Sequence, residues 1–479
     1  MTLKNQITQS ILNSESPKTL GIVITDGVGF RNFVLSTFLE EAARSFPKIV
    51  IFSGLPYTAF PELDAAKFTI VELPVFTETK KNWFWRKLKE VAHLQKHKTN
   101  PGIADNYEMN KAKSWSPHGI LVRAVYAVSS VFNSEKNILK YEQFQEQSFA
   151  NDAVVKQYGQ LMQEHQPDLL FFTHQRPPFI ATLVFWAKKL KIPTASFIFS
   201  WDNLASKGRM AASFDYFLVW SELMKIELLR FYPFTKSEAV SIVGTPQFEP
   251  YVLPQFDIPK AEFYETFGLN SKEKILCYSC ADATIGPNDP LVIATLAEGI
   301  RNGAIKPCQL LVRTSPAEDE SRFAETKAKY PEIKWNHPKW ELTREGHPEP
   351  WSQRVPTLED LSMLKAILKF CDLNVNMLST MSLDFMLFEK PVVNTAFGNG
   401  NNGLYNDQRF LHYEHYDNVV KSGAVKIAKN QDELFNAVNA YLENPELDLE
   451  NRKKLIAMQV GKPLEKTTRA CVEALKANL

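Results

Sequence analysis

Proton transfer and phosphate binding are the two chemistries this sequence is equipped for, and the residues suited to them follow short apolar runs. Asp26 stands in "TDGVGFRN", His174 follows "LLFFT", and Asp202 lies in "SWDN", which spans Ser200, Trp201, Asp202 and Asn203. Each of these three acid–base groups is able to take a proton from a hydroxyl. Asp26 and Asp202 rank ahead of His174, and either carboxylate could equally brace its own turn. Gly27 and Gly29, next to Asp26, leave room for backbone or substrate to come close. Arg313 ends the run "CQLLVR". A guanidinium there suits either two-pronged phosphate contact or an ion pair.

The stretch "DLNVNMLSTMSLDFMLFEKPVVNTAFG", Asp372 to Gly398, adds an anion site. An apolar run feeds a tight turn and then a helix starting at Ser379 or Thr380, residue types preferred at helix N-caps. Free N–H groups at such a start attract phosphate. Thr380 and Asp384 are four apart and share a face, while Met381, Phe385 and Phe388 occupy another. Asp384 then lies just beyond the phosphate, where a carboxylate can accept from ribose hydroxyls. An N-capped helix carrying one solvated Asp fits the same residues.

These groups need strands to hold them. β-Branched and aromatic runs alternate with longer helical patterns, which predicts βαβ units and parallel sheets. "KTLGIVIT", "KIVIFS", "FTIVEL", "DLLFFT", "PTASFIF" and "FDYFLVW" are the strands of the first half; "KILCYSC", "QLLVR", "IKWN", "DLNVNM", "PVVN" and "AVKI" are those of the second. Their near-continuous apolarity suits strands covered on both faces. The fold class is therefore α/β, with two tandem Rossmann-like doubly wound domains over 1–245 and 260–479 and a helical insertion near 80–160. "GTPQFEPYVLPQFDIP", with four prolines, reads as the linker between them.

At 479 residues the chain is too long for one core. Lys plus Arg number 55 against 54 for Asp plus Glu, so no general electrostatic footprint for nucleic acid exists. "CYSC" is the only close cysteine pair and lacks the second pair a zinc site needs, so no metal and no cofactor are expected. The N-terminal segment lacks a signal-peptide pattern and no apolar run is long enough to span a bilayer, giving a cytoplasmic expectation. "KKNWFWRKLKEVAHLQKHK", Lys80 to Lys98, mixes aromatics with a basic face. It suits either an anionic membrane surface, which would put the protein at the inner face of the cell membrane, or an insertion helix packed on its neighbours.

The segment around Ser379 resembles the nucleotide-sugar site of the GT-B superfamily, which includes UDP-N-acetylglucosamine 2-epimerases and glycerophosphotransferases of surface polymers. In the epimerases a Ser-Gly-Gly turn holds the diphosphate and a Glu one turn on holds the ribose. Counting back from Lys390 and Pro391 aligns that turn with Leu378, Ser379 and Thr380, and that Glu with Asp384. "SWDN", the strand ending "VWSE" and "VGTPQF" are similar to bacterial surface-polysaccharide glycosyltransferases.

The resemblance implies a metal-independent glycosyltransferase using a nucleotide diphosphate sugar, UDP-linked, with a glycan or lipid-linked acceptor. It implies phosphate contacts from Arg313, Ser379 and Thr380, a ribose contact from Asp384, and a base contact through the Val355 backbone. Trp201 and Asn203 fall on the acceptor side with Gly27 and Gly29, and the final helix returns to the first domain. An epimerase, or a binding protein of the same fold, is the alternative reading.

Overall fold

The structure is a computed structural model and describes residues 18–316, 320–398 and 404–479. Residues 1–17, searched above for a targeting signal, lie outside the described residues.

Two parallel sheets organise the chain. The first holds β1 (Thr19–Ile24), β2 (Lys48–Ser53), β3 (Phe68–Glu72), β4 (Leu169–Phe172), β5 (Thr194–Phe197), β6 (Tyr216–Val219) and β7 (Val240–Ile242), in spatial order β3-β2-β1-β4-β5-β6-β7. The second uses β8 (Ile275–Ser279), β9 (Gln309–Arg313) and β10 (Lys334–Asn336). A small antiparallel hairpin, β11 (Trp340–Leu342) with β12 (Arg354–Pro356), then leaves the sheet. β13 (Leu373–Asn376), β14 (Val392–Thr395) and β15 (Lys426–Ala428) complete the second sheet in the order β10-β9-β8-β13-β14-β15. All twelve quoted strand segments appear; β7 and the hairpin were not anticipated. The central strands are buried along their length, as in β4 and β13, because helices cover both faces.

Between β3 and β4 the chain makes five consecutive helices, from Lys80–Lys96 to Ala153–His165. The proline-rich stretch after β7 is packed rather than extended. It forms two 3₁₀ turns, and Pro246, Phe248, Glu249, Pro250 and Tyr251 are buried. Glu249 accepts from the Thr37 amide at 2.8 Å and from the Thr468 hydroxyl at 2.6 Å. Thr468 belongs to the last helix, Thr467–Ala477, which lies against the helix Phe38–Ser45 beside the first sheet.

The carboxyl edges of the two sheets face each other. After β5, Trp201 Nε1 donates to Thr380 Oγ1, beyond β13, at 3.0 Å. After β2, the Gly54 carbonyl accepts from Gln353 Nε2, at the foot of the hairpin, at 3.3 Å. Gly27 permits a third approach, since a Cβ there would stand 1.6 Å from the Arg354 carbonyl oxygen.

Candidate active site

Asp26 follows β1 and caps the helix Gly27–Phe33, its Oδ1 accepting from the amides of Val28 at 3.0 Å and Gly29 at 2.9 Å. Its Oδ2 accepts from Thr25 Oγ1 at 2.7 Å and lies 2.8 Å from His174 Nδ1, beyond β4. β1 and β4 are neighbours in the sheet, which brings these two candidates together. Burial opposes the charge on Asp26, but His174 and the hydrogen bonds from Gly29 and Thr25 outweigh it and hold the carboxyl below its ordinary value. The His174 ring stacks on Phe199 with centroids 3.9 Å apart. Orientation is thus fixed at Nδ1, and Nε2 makes no hydrogen bond to a described residue. An imidazole held this way is built to accept a proton at its far nitrogen. The room at Gly27 and Gly29 is filled by protein: the Arg354 carbonyl at the first, Thr173 Oγ1 at the second.

Asp202 is differently placed. Asn203 Nδ2 donates to it at 3.1 Å, Lys207 lies 3.7 Å away, and it makes no cap to the short helix it precedes. Burial raises its pKa, yet Lys207, His415 and hydrogen bonds from Ser200 and Asn203 prevail and hold it at about 2. Asn203 accepts from Gln175 Nε2 at 2.9 Å and so ties the β4 and β5 loops together. Trp201 is buried, its ring edge-on to His415.

Across the cleft, the turn after β13 rests on a buried polar network. Asn376 Nδ2 donates to Asn374 Oδ1 at 2.6 Å, Asn394 Nδ2 donates to Asn376 Oδ1 at 3.0 Å, and Tyr416 donates to Asn394 at 2.8 Å. Leu378 adopts φ 49°, a left-handed geometry that glycine takes at less cost. Thr380 stands at the N-cap position of the helix Met381–Leu387, but its hydroxyl makes no capping hydrogen bond and accepts from Trp201 instead. The start of this helix is less open than the sequence alone suggests. Asn376 Oδ1 takes the Ser379 amide at 2.9 Å, and Ser379 Oγ takes that of Met381 at 3.3 Å.

Three cavities surround these groups. Cavity A, about 350 Å³, lies beside Asp26 between the first sheet's loops and the hairpin segment Arg344 to Gln353. Cavity B, about 340 Å³, is lined by Arg31, Arg313, Ser379, Thr380 and Asp384. Cavity C, about 260 Å³, shares Ser379 and Thr380 with it and reaches Trp201, Asp202 and His415. The loop Ala281 to Ile285 borders both B and C.

Arg313 enters cavity B already paired. Its Nη2 donates to both Asp360 oxygens, at 3.1 and 3.0 Å, and its Nη1 donates to Asn336. Arg31, which sequence reasoning passed over, is the less committed cation: Nη2 reaches the Gln247 carbonyl at 3.4 Å, and Nε is buried without a partner. Its only sequence signal is its place in "TDGVGFRN", alongside Asp26. Gln247 and Tyr251, from the proline-rich stretch, also reach this region and carried no signal.

Val355 pairs with Glu341 in the hairpin and lies against Gly27, outside the residues lining cavity B. Asp384 does line cavity B, with its carboxylate accepting from the Tyr251 hydroxyl.

Burial pushes Asp384 up to about 6, against the Tyr251 hydrogen bond and the charge of Arg31. The folded value exceeds the ordinary 3.8, so unfolding lets the group ionise more easily. Its contribution to stability is complete below pH ~4 and is lost as pH rises through about 6, on the order of 3 kcal/mol. Asp384→Asn is expected to flatten that loss, read as a smaller shift in urea midpoint between acid and neutral pH than in the wild type.

Among the described residues no group of three His, Cys, Asp or Glu side chains is placed to hold a metal ion, and no helix is long and apolar enough to cross a membrane. All five cysteines are buried.

The architecture defined by these two facing sheets is the GT-B fold, and solved structures show the likeness. A UDP-GlcNAc 2-epimerase from Neisseria meningitidis bound to UDP-GlcNAc aligns over 96% of this chain and 100% of its own, at 11% identity and a TM-score of 0.51. A glycosyltransferase from Rickettsia africae ESF-5 aligns over 97% and 99% at 10% identity and 0.51. S. aureus MnaA with UDP aligns over 97% of each chain at 11% identity and 0.50. No family model and no curated protein matches the chain.

Proposed function

We propose that this chain is a glycosyltransferase that moves a sugar from a UDP-linked donor to a hydroxyl of a glycan or lipid-linked acceptor in cell-surface polysaccharide assembly. The observation that carries the reading is the His174–Asp26 pair at the carboxyl edge of the first sheet, together with cavity B, where Arg31 of the first lobe meets Ser379 and Thr380 of the second. In this mechanism His174 Nε2 takes the acceptor hydroxyl proton while that oxygen bonds to the anomeric carbon. The bond from that carbon to the diphosphate oxygen breaks, and UDP leaves with the electron pair. Asp26 holds the Nδ1 proton and stabilises the imidazolium that forms. Arg31 meets the charge that develops on the departing diphosphate, with hydroxyl contacts from Ser379 and Thr380. Asp202, with a pKa near 2, is too weak a base at neutral pH for this step. The two domains, 1–245 and 260–479, divide acceptor and donor between them.

A panel of nucleotide sugars, assayed for released nucleotide and for interconverted sugar, tests the reading. Release supports transfer, and interconversion supports the epimerase reading, the activity named for the similar structure from Neisseria meningitidis. Binding without consumption would leave a nucleotide-sugar-binding protein. Arg31→Ala is expected to weaken UDP binding about ten- to a hundredfold by calorimetry, the value of a charge-assisted hydrogen bond. Undiminished affinity would remove Arg31 from the site.

The reading includes peripheral contact with an anionic membrane. The helix Lys80–Lys96 offers little for it: Arg86 pairs with Glu78 and Glu90, Lys96 with Glu135, and Trp85 packs on Phe144 at 4.7 Å. The helix Pro117–Val131 behind it is better suited, with Ile120 54% and Val131 71% exposed and Trp115 77% exposed just before it. Lys113 and Lys136 are exposed at its two ends. In flotation with phosphatidylglycerol vesicles, Trp115→Ala with Val131→Asp should cut recovery several-fold, and Trp83→Ala with Trp85→Ala should change it little. Equal recovery for the first pair would sink the contact.

A further inference from the structure

We infer that cavity A is a subsite for a neutral pyranose unit of the acceptor, built jointly by the first sheet's loops and the β11–β12 hairpin of the second. The inference rests on the transferase reading and extends it to the chemistry of the acceptor.

Position comes first. Asp26 lines cavity A and its carboxylate holds His174, so the cavity adjoins the pair from the Asp26 side. Its volume, about 350 Å³, falls in the usual small-ligand range of about 300–1,000 Å³.

The lining divides by chemistry. Phe76, Phe179 and Trp351 supply aromatic surface, and Trp351 is still 50% exposed. A pyranose ring presents an apolar C–H face to such surface and hydroxyls at its rim, so it needs both kinds of wall. The polar wall contains one uncommitted acid. Arg86 holds both oxygens of Glu78, at 2.7 and 2.6 Å, and Glu72 holds Arg344 at 2.7 Å. The Glu349 carboxylate has no such partner among the described residues, and the Glu349 backbone is held by its amide donating to His347 Nδ1 at 3.0 Å. Burial raises its pKa, against the charges of His347 and Arg86, with Glu78 and Asp26 adding to the rise. A half-buried carboxylate without a donor is costly, and sugar hydroxyls are the donors that would satisfy it. Two acids, Glu349 and Asp26, beside cations already paired disfavour an anionic sugar.

The hairpin is anchored where it has to be. The Gln353–Gly54 and Arg344–Glu72 contacts, with the Arg354 carbonyl against Gly27, fix Trp351 and Glu349 over the first sheet.

Saturation-transfer NMR on the full-length protein, without donor, tests the subsite. The probes are methyl glycosides of glucose, galactose and N-acetylglucosamine, with methyl glucuronide as the anionic control. At least one neutral glycoside should bind and the glucuronide should not. Trp351→Ala and Glu349→Gln should each weaken that binding about tenfold, with UDP affinity unchanged. Trp351→Leu, which keeps apolar bulk, serves as a second variant at that position. Absence of neutral glycoside binding, or binding undiminished by both substitutions, overturns the subsite. Nucleotide release from donor sugars is scored separately. No release with glycoside binding retained overturns transfer and keeps the saccharide site; release with neither substitution having an effect overturns the subsite alone.

Discussion

Asp26→Asn is expected to slow sugar transfer on the order of 10⁴-fold, the cost of presenting a catalytic imidazole in the wrong tautomer. An Asn side chain keeps one oxygen to accept from the Val28 and Gly29 amides, so the helix cap survives. Its other group is an NH₂ donor facing His174 Nδ1, and that nitrogen then has to accept. The ring proton moves to Nε2, and that nitrogen can no longer take a proton. His174→Ala should fall by about 10²–10⁴-fold. Adding one substitution to the other should cost little more, because the two residues act as a unit. Single-turnover rates with a donor the wild type consumes provide the measurement, and thermal melting checks that the fold is kept. Retention of the wild-type rate in Asp26→Asn would show that the pair is structural.

Arg313→Ala carries the second large effect, and it is an effect on stability. Arg313 and Asp360 are both buried, and the guanidinium holds both carboxylate oxygens. Removing the cation strands a buried negative charge, which costs about 3–5 kcal/mol. The Asp360 carboxylate also accepts from the Lys339 amide at 3.2 Å and Trp340 Nε1 at 3.1 Å, so loss of order should spread into the hairpin. Combining Arg313→Ala with Asp360→Asn should recover much of the loss, because no unpaired charge is left behind. Urea midpoints of the single and double variants decide the matter. A phosphate ligand with no structural duty would behave in the opposite way, with stability nearly unchanged and UDP affinity reduced. Arg313 still lines cavity B, so a moderate loss of affinity would accompany the unfolding effect.

Arg313 marks the limit of local reading. Its position at the end of β9 follows from the apolar run before it, whereas its partner lies 47 residues away beyond the hairpin. Asp384 is similar. Its helix and its place near Thr380 are local properties, but Tyr251, which holds its carboxylate, is 133 residues distant in a stretch that sequence marks only as proline-rich. That stretch packs because its aromatic residues are buried at the junction of the lobes, which composition does not disclose.

The α/β class, the strand segments and the helical insertion follow from the sequence by itself, because near-continuous apolar runs have few alternatives to central parallel strands. So does the placement of Asp26, His174, Asp202, Arg313 and Thr380 at or beyond strand ends. Only the tertiary structure decides which of them meet. Asp26 reaches His174 across 148 residues because β1 lies beside β4, and Trp201 reaches Thr380 across 179 because the sheet edges oppose one another. Strand order and lobe approach are settled by packing summed over the whole chain, and that sum leaves no trace in the few residues around each group.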